Sequence, residues 1–193
     1  MSLKIGIIIG STRPGRSGAD VAKWYFEQVK SIEDAEFDLI DIADYNLPLL
    51  DEAYPPSMGN YQNKHTTKWA EVIEKYDGYV WVTPEYNHSA PASLTNAISY
   101  LFAEWVKKPV AFVSYGSMGG VRAVEHLRGI AGELQMADIR LQVAIRNPWA
   151  MKDDKGDIKA DLVYGNPSNQ AEELIWWANA LKVARTETAL ISA

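Results

Sequence analysis

Ile5, Ile7, Ile8 and Ile9 form a short β-branched run with no polar residue alternating through it. A strand with one wet face alternates. A run that does not alternate is buried on both faces, as in the middle of a parallel sheet. The run stops at Gly10 and passes through Ser11, Thr12, Arg13, Pro14, Gly15, Arg16 and Ser17 into a helical pattern. A strand, a loop of glycine, hydroxyl and arginine, and a helix start together make an anion site. Free backbone N–H groups and the helix dipole both favour negative charge there. Ser11, Thr12 and Ser17 offer O–H donors, and Arg13 and Arg16 offer planar guanidinium groups. The stretch points to a phosphorylated ligand.

Three other readings of this loop compete. Gly6, Gly10 and Gly15 lack the G-x-G-x-x-G spacing of a dinucleotide fold. Gly10–Ser17 reads G-x-x-x-x-G-R-S, close to the loop of nucleotide hydrolases, but the lysine of that motif is missing. Arginine is larger and planar and does not replace a compact ammonium, and Pro14 removes one backbone donor. The plainest reading is a hydroxyl-rich turn that only caps a helix.

The chain has 193 residues, 47% hydrophobic and 11% aromatic, which suits one globular domain. That domain is expected over residues 1–186, with a short tail at 187–193. No apolar run approaches bilayer length, and Met1–Lys4 leads straight into a strand, so neither a membrane span nor a signal peptide is expected. The absence of cysteine excludes disulfides, thiolate nucleophiles and Cys-ligated metal, and suits the cytoplasm. A net charge of −6 argues against a nucleic-acid surface and makes the two loop arginines a local device.

Helical spacing follows at Ala19–Lys30, and Phe37–Ile42 reads as a second strand. Asn46–Gln62, with Pro48, Pro55, Pro56 and Gly59, is long for a connection, and such loops are often functional. A helix carrying Trp69, Val72, Ile73 and Tyr76 precedes a third strand, Tyr79–Thr83, which Pro84 ends. Helix Ala92–Trp105, strand Val110–Ser114, helix Val121–Leu134 and strand Ile139–Ile145 come next. A polar stretch from Asn147 to Ser168, including Asp153, Asp154 and Lys155, leads to a last helix at Ala171–Ala184. Five strands alternating with helices give an α/β, three-layer, doubly wound sandwich of the flavodoxin-like kind. The parallel sheet has the expected order 2-1-3-4-5. Ligands bind such folds beyond the strand C-termini, where Gly10–Ser17, Thr83–Ser89 and Ser114–Gly120 converge.

In the second of these loops, Ser89 stands where an N-cap belongs and Pro91 suits a first helical turn. Glu85, Tyr86 and Asn87 project from the corner, and Tyr86 beside amides suits a flat heterocycle. In the third loop, Gly116, Gly119 and Gly120 leave the backbone bare beside a planar ring.

GSTRPGRSG, PEYNHSAPASLTNAISYL and SYGSMGG after the first, third and fourth strands resemble the NADPH-dependent FMN reductase family. That family is flavodoxin-like and includes quinone, azo-dye and chromate reductases. The resemblance implies an FMN phosphate on Ser11, Arg13 and Ser17, with Thr12 and Arg16 nearby. It implies a flavin ring against Pro84, Glu85, Tyr86, Asn87, Gly116, Ser117, Gly119 and Gly120. It implies hydride transfer from NADPH or NADH to flavin, then to a quinone, free flavin or similar small acceptor, with no catalytic side chain and no metal. Thr95 and Ser99 depart from the Lys and Asp that the family often carries around its helical Asn-Ala. His88 is expected to face solvent. A non-enzymatic, flavodoxin-like electron carrier is the alternative, and the negative charge suits it.

Helix Ala92–Trp105 shows apolar residues around much of its circumference: Leu94, Ile98, Tyr100, Leu101, Phe102 and Trp105. One sheet face does not cover so many, so a homodimer or homotetramer is expected, as the resemblance also implies.

Overall fold

The computed structural model describes residues 2–154 and 156–191; Met1, Lys155 and residues 192–193 of the expected tail lie outside the described residues. The strands are β1 (Leu3–Ile9), β2 (Ala35–Asp41), β3 (Gly78–Pro84), β4 (Pro109–Gly116), β5 (Ala137–Arg146) and β6 (Val163–Tyr164). The helices are α1 (Gly18–Val29), α2 (Lys64–Ile73), α3 (Ala92–Ser99), α4 (Val121–Glu133) and α5 (Pro167–Ile191). The sheet order is β2-β1-β3-β4-β5-β6. Strands β1 to β5 pair in parallel in the expected order. The sheet has six strands rather than five, because β6 pairs antiparallel with Ala144 and Ile145 of β5. Two residues inside a polar stretch are too few to show an alternating pattern, which is why periodicity misses this strand.

Burial explains the unbroken runs. Ile5, Ile7 and Ile9 pack toward α1 and α5 with Val21, Tyr25, Leu174 and Ala178. Ile8, Tyr79 and Trp81 pack on the other face with Trp69, Ile73, Leu94 and Leu127 of α2, α3 and α4. Every residue of β3 is buried. Both faces are covered, so neither admits polar alternation.

The third helix is shorter than its apolar content suggests, ending at Ser99 rather than Trp105. Trp105 folds back beneath it. Its indole N–H donates to the Ile98 carbonyl at 3.2 Å, and its ring meets Tyr79 and Trp81 edge-on at 4.8 and 5.9 Å. Leu94, Ile98, Tyr100, Leu101 and Trp105 are all at most 2% exposed. These side chains fill one protomer's own core rather than a face open to a second copy. The final helix runs from Pro167 through Ile191, so residues 187–191 of the expected tail continue it. The other elements keep the places read from periodicity, with their ends slightly shifted.

The long loop after β2 is tied down at both ends. Asn96 of α3 donates to the Pro48 carbonyl at 2.6 Å and accepts from the Leu50 amide at 3.0 Å. The Glu52 carboxylate accepts from the amides of Gln62 and Asn63 at the start of α2. Between these anchors, Leu49 stands 82% exposed.

Candidate functional site

Parallel pairing sets Ile9 beside Val82 and Pro84 beside Tyr115. The loops that leave β1, β3 and β4 therefore emerge side by side at one edge of the sheet, as expected of a doubly wound fold. Gly10 donates its amide to the Val82 carbonyl at 2.9 Å. Its own carbonyl accepts the Ser93 hydroxyl at 2.6 Å, fixing the start of the first loop against α3.

Within that loop Ser11 is buried, 1% exposed, and its hydroxyl shares a hydrogen bond with the Tyr86 hydroxyl at 2.9 Å. Ser17 is the N-cap of α1, yet its side chain makes no capping bond, so its hydroxyl stays available at the positive end of the helix. Thr12 and Arg13 are exposed, and the Arg13 guanidinium lies 5.9 Å from the Tyr86 ring centre. Gly15 holds φ at +68°, the left-handed turn that carries the chain back toward α1. The two arginines divide. Arg13 is open to a ligand, whereas Arg16 is ion-paired with Asp41 at the end of β2. The other Asp41 oxygen accepts the Ala43 amide at 3.0 Å. Arg16 Nε is buried without a partner.

The second loop is a tight reversal. Tyr86 and Ser89 exchange backbone bonds at 2.9 and 3.0 Å, and Asn87 and His88 between them hold φ at +51° and +65°. Two successive positive φ values across a two-residue loop make a type I′ turn, a conformation asparagine tolerates well. His88 is exposed, as expected. Ser89 is not the helix cap. Its hydroxyl meets His126 Nδ1 at 2.9 Å, and Pro91 takes the N-cap position of α3.

Glu85 braces the second loop against the third. Its carboxylate accepts the Arg122 amide at 3.2 Å and Arg122 Nε at 2.6 Å, at the start of α4. Its own amide donates to the Tyr115 carbonyl at 3.2 Å. A carboxylate at a helix N-terminus is stabilised by the exposed N–H groups. In the third loop Gly120 has φ +74°, and a Cβ there would come within 2.9 Å of the Ser114 Cβ and the Tyr115 amide. Gly116 has ordinary space around it, and Ser117 is exposed at the rim. Pro84 is buried at the end of β3.

Beside the phosphate loop lies a cleft of about 570 Å³ lined by Thr12, Ile42, Asn46, Leu47, Leu49 and Asn96. Arg122, Asp41, Ser93 and Asn96 were not read as site residues. Asp41 and Arg122 are charged residues whose partners lie far along the chain, a pairing that sequence spacing does not reveal.

Ser11, Thr12, Arg13 and Ser17 lie on one loop that runs into the start of α1, a set of donor types that suits a phosphate monoester. Beside them the third loop leaves Gly116 and Ser117 at the rim, while Gly119 and Gly120 are buried against Ala144 and Ser114. Fold and site together define a flavodoxin-like flavin reductase class. The sequence pattern of the NADPH-dependent FMN reductases matches residues 3–150, and the chain belongs to that family. An NAD(P)H-dependent FMN reductase of Nectria sp is 37% identical over 188 residues, covering 93% of this chain and 89% of that one. A quinone reductase of Escherichia coli is 34% identical over 143 residues, covering 66% of this chain and 69% of its own. Among solved structures, a flavoenzyme NAD(P)H:(acceptor) oxidoreductase from Paracoccus denitrificans superposes with a TM-score of 0.66 at 18% identity. That superposition covers 93% of this chain and 94% of the other, and it speaks to the fold.

Proposed function

We propose that the chain is an FMN-dependent NAD(P)H oxidoreductase that passes reducing equivalents from NADPH or NADH to a quinone, free flavin or similar small acceptor. The observation that carries this reading is the emergence of the Ser11–Ser17 loop beside Tyr86 of the second loop and Gly116–Ser117 of the third. FMN, when bound, supplies the hydride chemistry itself. The protein's part is to hold and expose. Ser11, Thr12, Ser17 and Arg13 bind the phosphate, and three charge-assisted bonds at about 1.5–3 kcal/mol each match the roughly 8 kcal/mol of micromolar affinity. Tyr86, Asn87, Gly116 and Ser117 form the surface for the ring, with the buried Pro84, Gly119 and Gly120 shaping the backbone behind it. Glu85 and Arg122 keep the second and third loops in register. No side chain is required as acid or base, and the open rim admits nicotinamide and acceptor in turn.

A single domain, read as residues 1–186, carries this activity in a cytoplasmic setting. No helix among the described residues is long and apolar enough to cross a membrane. A homodimer or homotetramer is supported at a different place from α3. Leu49, Met58 and Met118 are 82%, 68% and 61% exposed on loops at this end of the sheet, apolar surface that a second copy would cover.

Steady-state NADPH oxidation by the FMN-loaded protein, with and without a soluble quinone, tests the reading. Turnover that rises with quinone and vanishes without FMN is expected. Bound FMN with no NADPH or NADH oxidation would favour the electron carrier.

A further inference from the structure

Tyr115, the residue before the last of β4, is 4% exposed, and its hydroxyl is buried with no hydrogen-bond partner. Leaving a buried hydroxyl unmade costs roughly 1–3 kcal/mol, so an orphan of this kind calls for a missing partner. Its direction is informative. The side chain lies on the α1 face of the sheet, and its oxygen presses against the first residue of α1: a Cβ on Gly18 would sit 2.6 Å from it. Only a glycine at that position lets the hydroxyl reach the opening turn of the helix. The N–H groups of that turn have no intrahelical acceptor, and the Ser17 hydroxyl beside them makes no cap bond.

The charges around the tyrosine agree with this placement. Burial raises the Tyr115 pKa, the charge of Tyr86 raises it further, and Arg13, Arg16 and a weak interaction with the Ser11 hydroxyl, itself bonded to Tyr86 and beyond ordinary hydrogen-bond length, oppose them. Residues of the phosphate loop, together with Tyr86, thus act electrostatically on this hydroxyl. Tyr25 also has an unpaired buried hydroxyl, but it belongs to the α1 interior, seven residues or about 10 Å along the helix from Gly18.

We propose that Tyr115 is a phosphate-binding residue, donating its hydroxyl from beneath to the phosphate that Ser11, Arg13 and Ser17 hold from the loop. The proposal rests on the FMN reading above and adds a floor to the cradle. It also gives Gly18 a role, as the gap through which a β4 side chain reaches the anion.

Tyr115→Phe keeps the ring and removes only the donor. Flavin fluorescence quenching by the full chain, titrated with FMN and with riboflavin, separates the phosphate from the ring. The FMN Kd is expected to rise about tenfold, the scale of one hydrogen bond to a charged group, with riboflavin affinity unchanged. The apo variant should melt at or above the wild-type temperature, because the lost hydroxyl made no hydrogen bond of ordinary length within the described residues. An FMN Kd within about twofold of wild type would overturn the proposal while leaving the FMN reading intact, and so would equal losses for both flavins. A lowered apo melting temperature would overturn it too, by revealing an internal partner. Wild-type protein that binds neither flavin would overturn the FMN reading and this inference with it. Gly18→Ala, which displaces the hydroxyl without removing it, should reproduce the FMN-selective loss.

Discussion

At the end of β2, Asp41 takes the Arg16 guanidinium with one oxygen and the Ala43 amide with the other. This changes what the two loop arginines do. The resemblance alone implies that Arg13→Ala weakens FMN more than Arg16→Ala, with Arg16 peripheral or turned to a 2′-phosphate. With Arg16 paired, its removal uncovers a half-buried carboxylate beside the phosphate loop. Arg13→Ala should therefore weaken FMN binding by roughly 1.5–3 kcal/mol through loss of a charge-assisted bond. Arg16→Ala should weaken it through repulsion from Asp41, and Arg16→Ala/Asp41→Asn should recover most of that loss. Equal affinity of the single and double variants, by fluorescence titration, would show that the carboxylate does not act on the phosphate. Ser11, Arg13 and Ser17 were legible because they share one loop whose residue types announce an anion. Asp41 was not, since it lies 25 positions from its partner inside a strand of mixed pattern.

At the scale of elements, strands were easier to read than helix ends. Buried parallel strands write their environment directly into sequence, whereas Tyr100–Trp105 is apolar for a tertiary reason. It closes the core under α3 instead of extending the helix. Leu101→Glu should therefore lower the melting temperature of the protomer itself, because it places an unpaired charge in the core under α3. The foot of β4 carries a second feature that spacing did not show. Lys108 is 7% exposed, and its amine donates to the Glu74 carbonyl at 3.2 Å and to the Tyr79 hydroxyl at 3.1 Å. Burial, reinforced by Arg185 and opposed by Asp77, Glu74 and Glu104, pushes its pKa down to about 8. An unfolded lysine titrates near 10.4, so between these values the unfolded chain binds a proton that the native state lacks, and stability rises with pH. Below that window the native protein bears the full cost of burying the charge. Lys108→Met removes this dependence. Between pH 7 and pH 9.5 the stability of wild type relative to the variant should rise by about 2 kcal/mol in urea unfolding. A constant difference across that range would mean that the amine is not depressed.

In the whole molecule, the doubly wound order brings three loops from separate strands to one edge of the sheet, and that convergence produces the site. The order and the loops were readable from the alternation of buried runs with helical periods. The sixth strand was not, because two residues carry no period. The braces between loops were not readable either: Glu85 with Arg122, Ser93 with Gly10 and Asn96 with Pro48 each join residues from different elements. In the proposed function these loops hold a flavin by its phosphate. Titrating the purified chain with FMN and with riboflavin, following flavin fluorescence, tests it most directly. Stoichiometric quenching by micromolar protein is expected for FMN, with at least tenfold weaker binding for riboflavin. Failure to quench FMN, or equal affinity for both flavins, would contradict it.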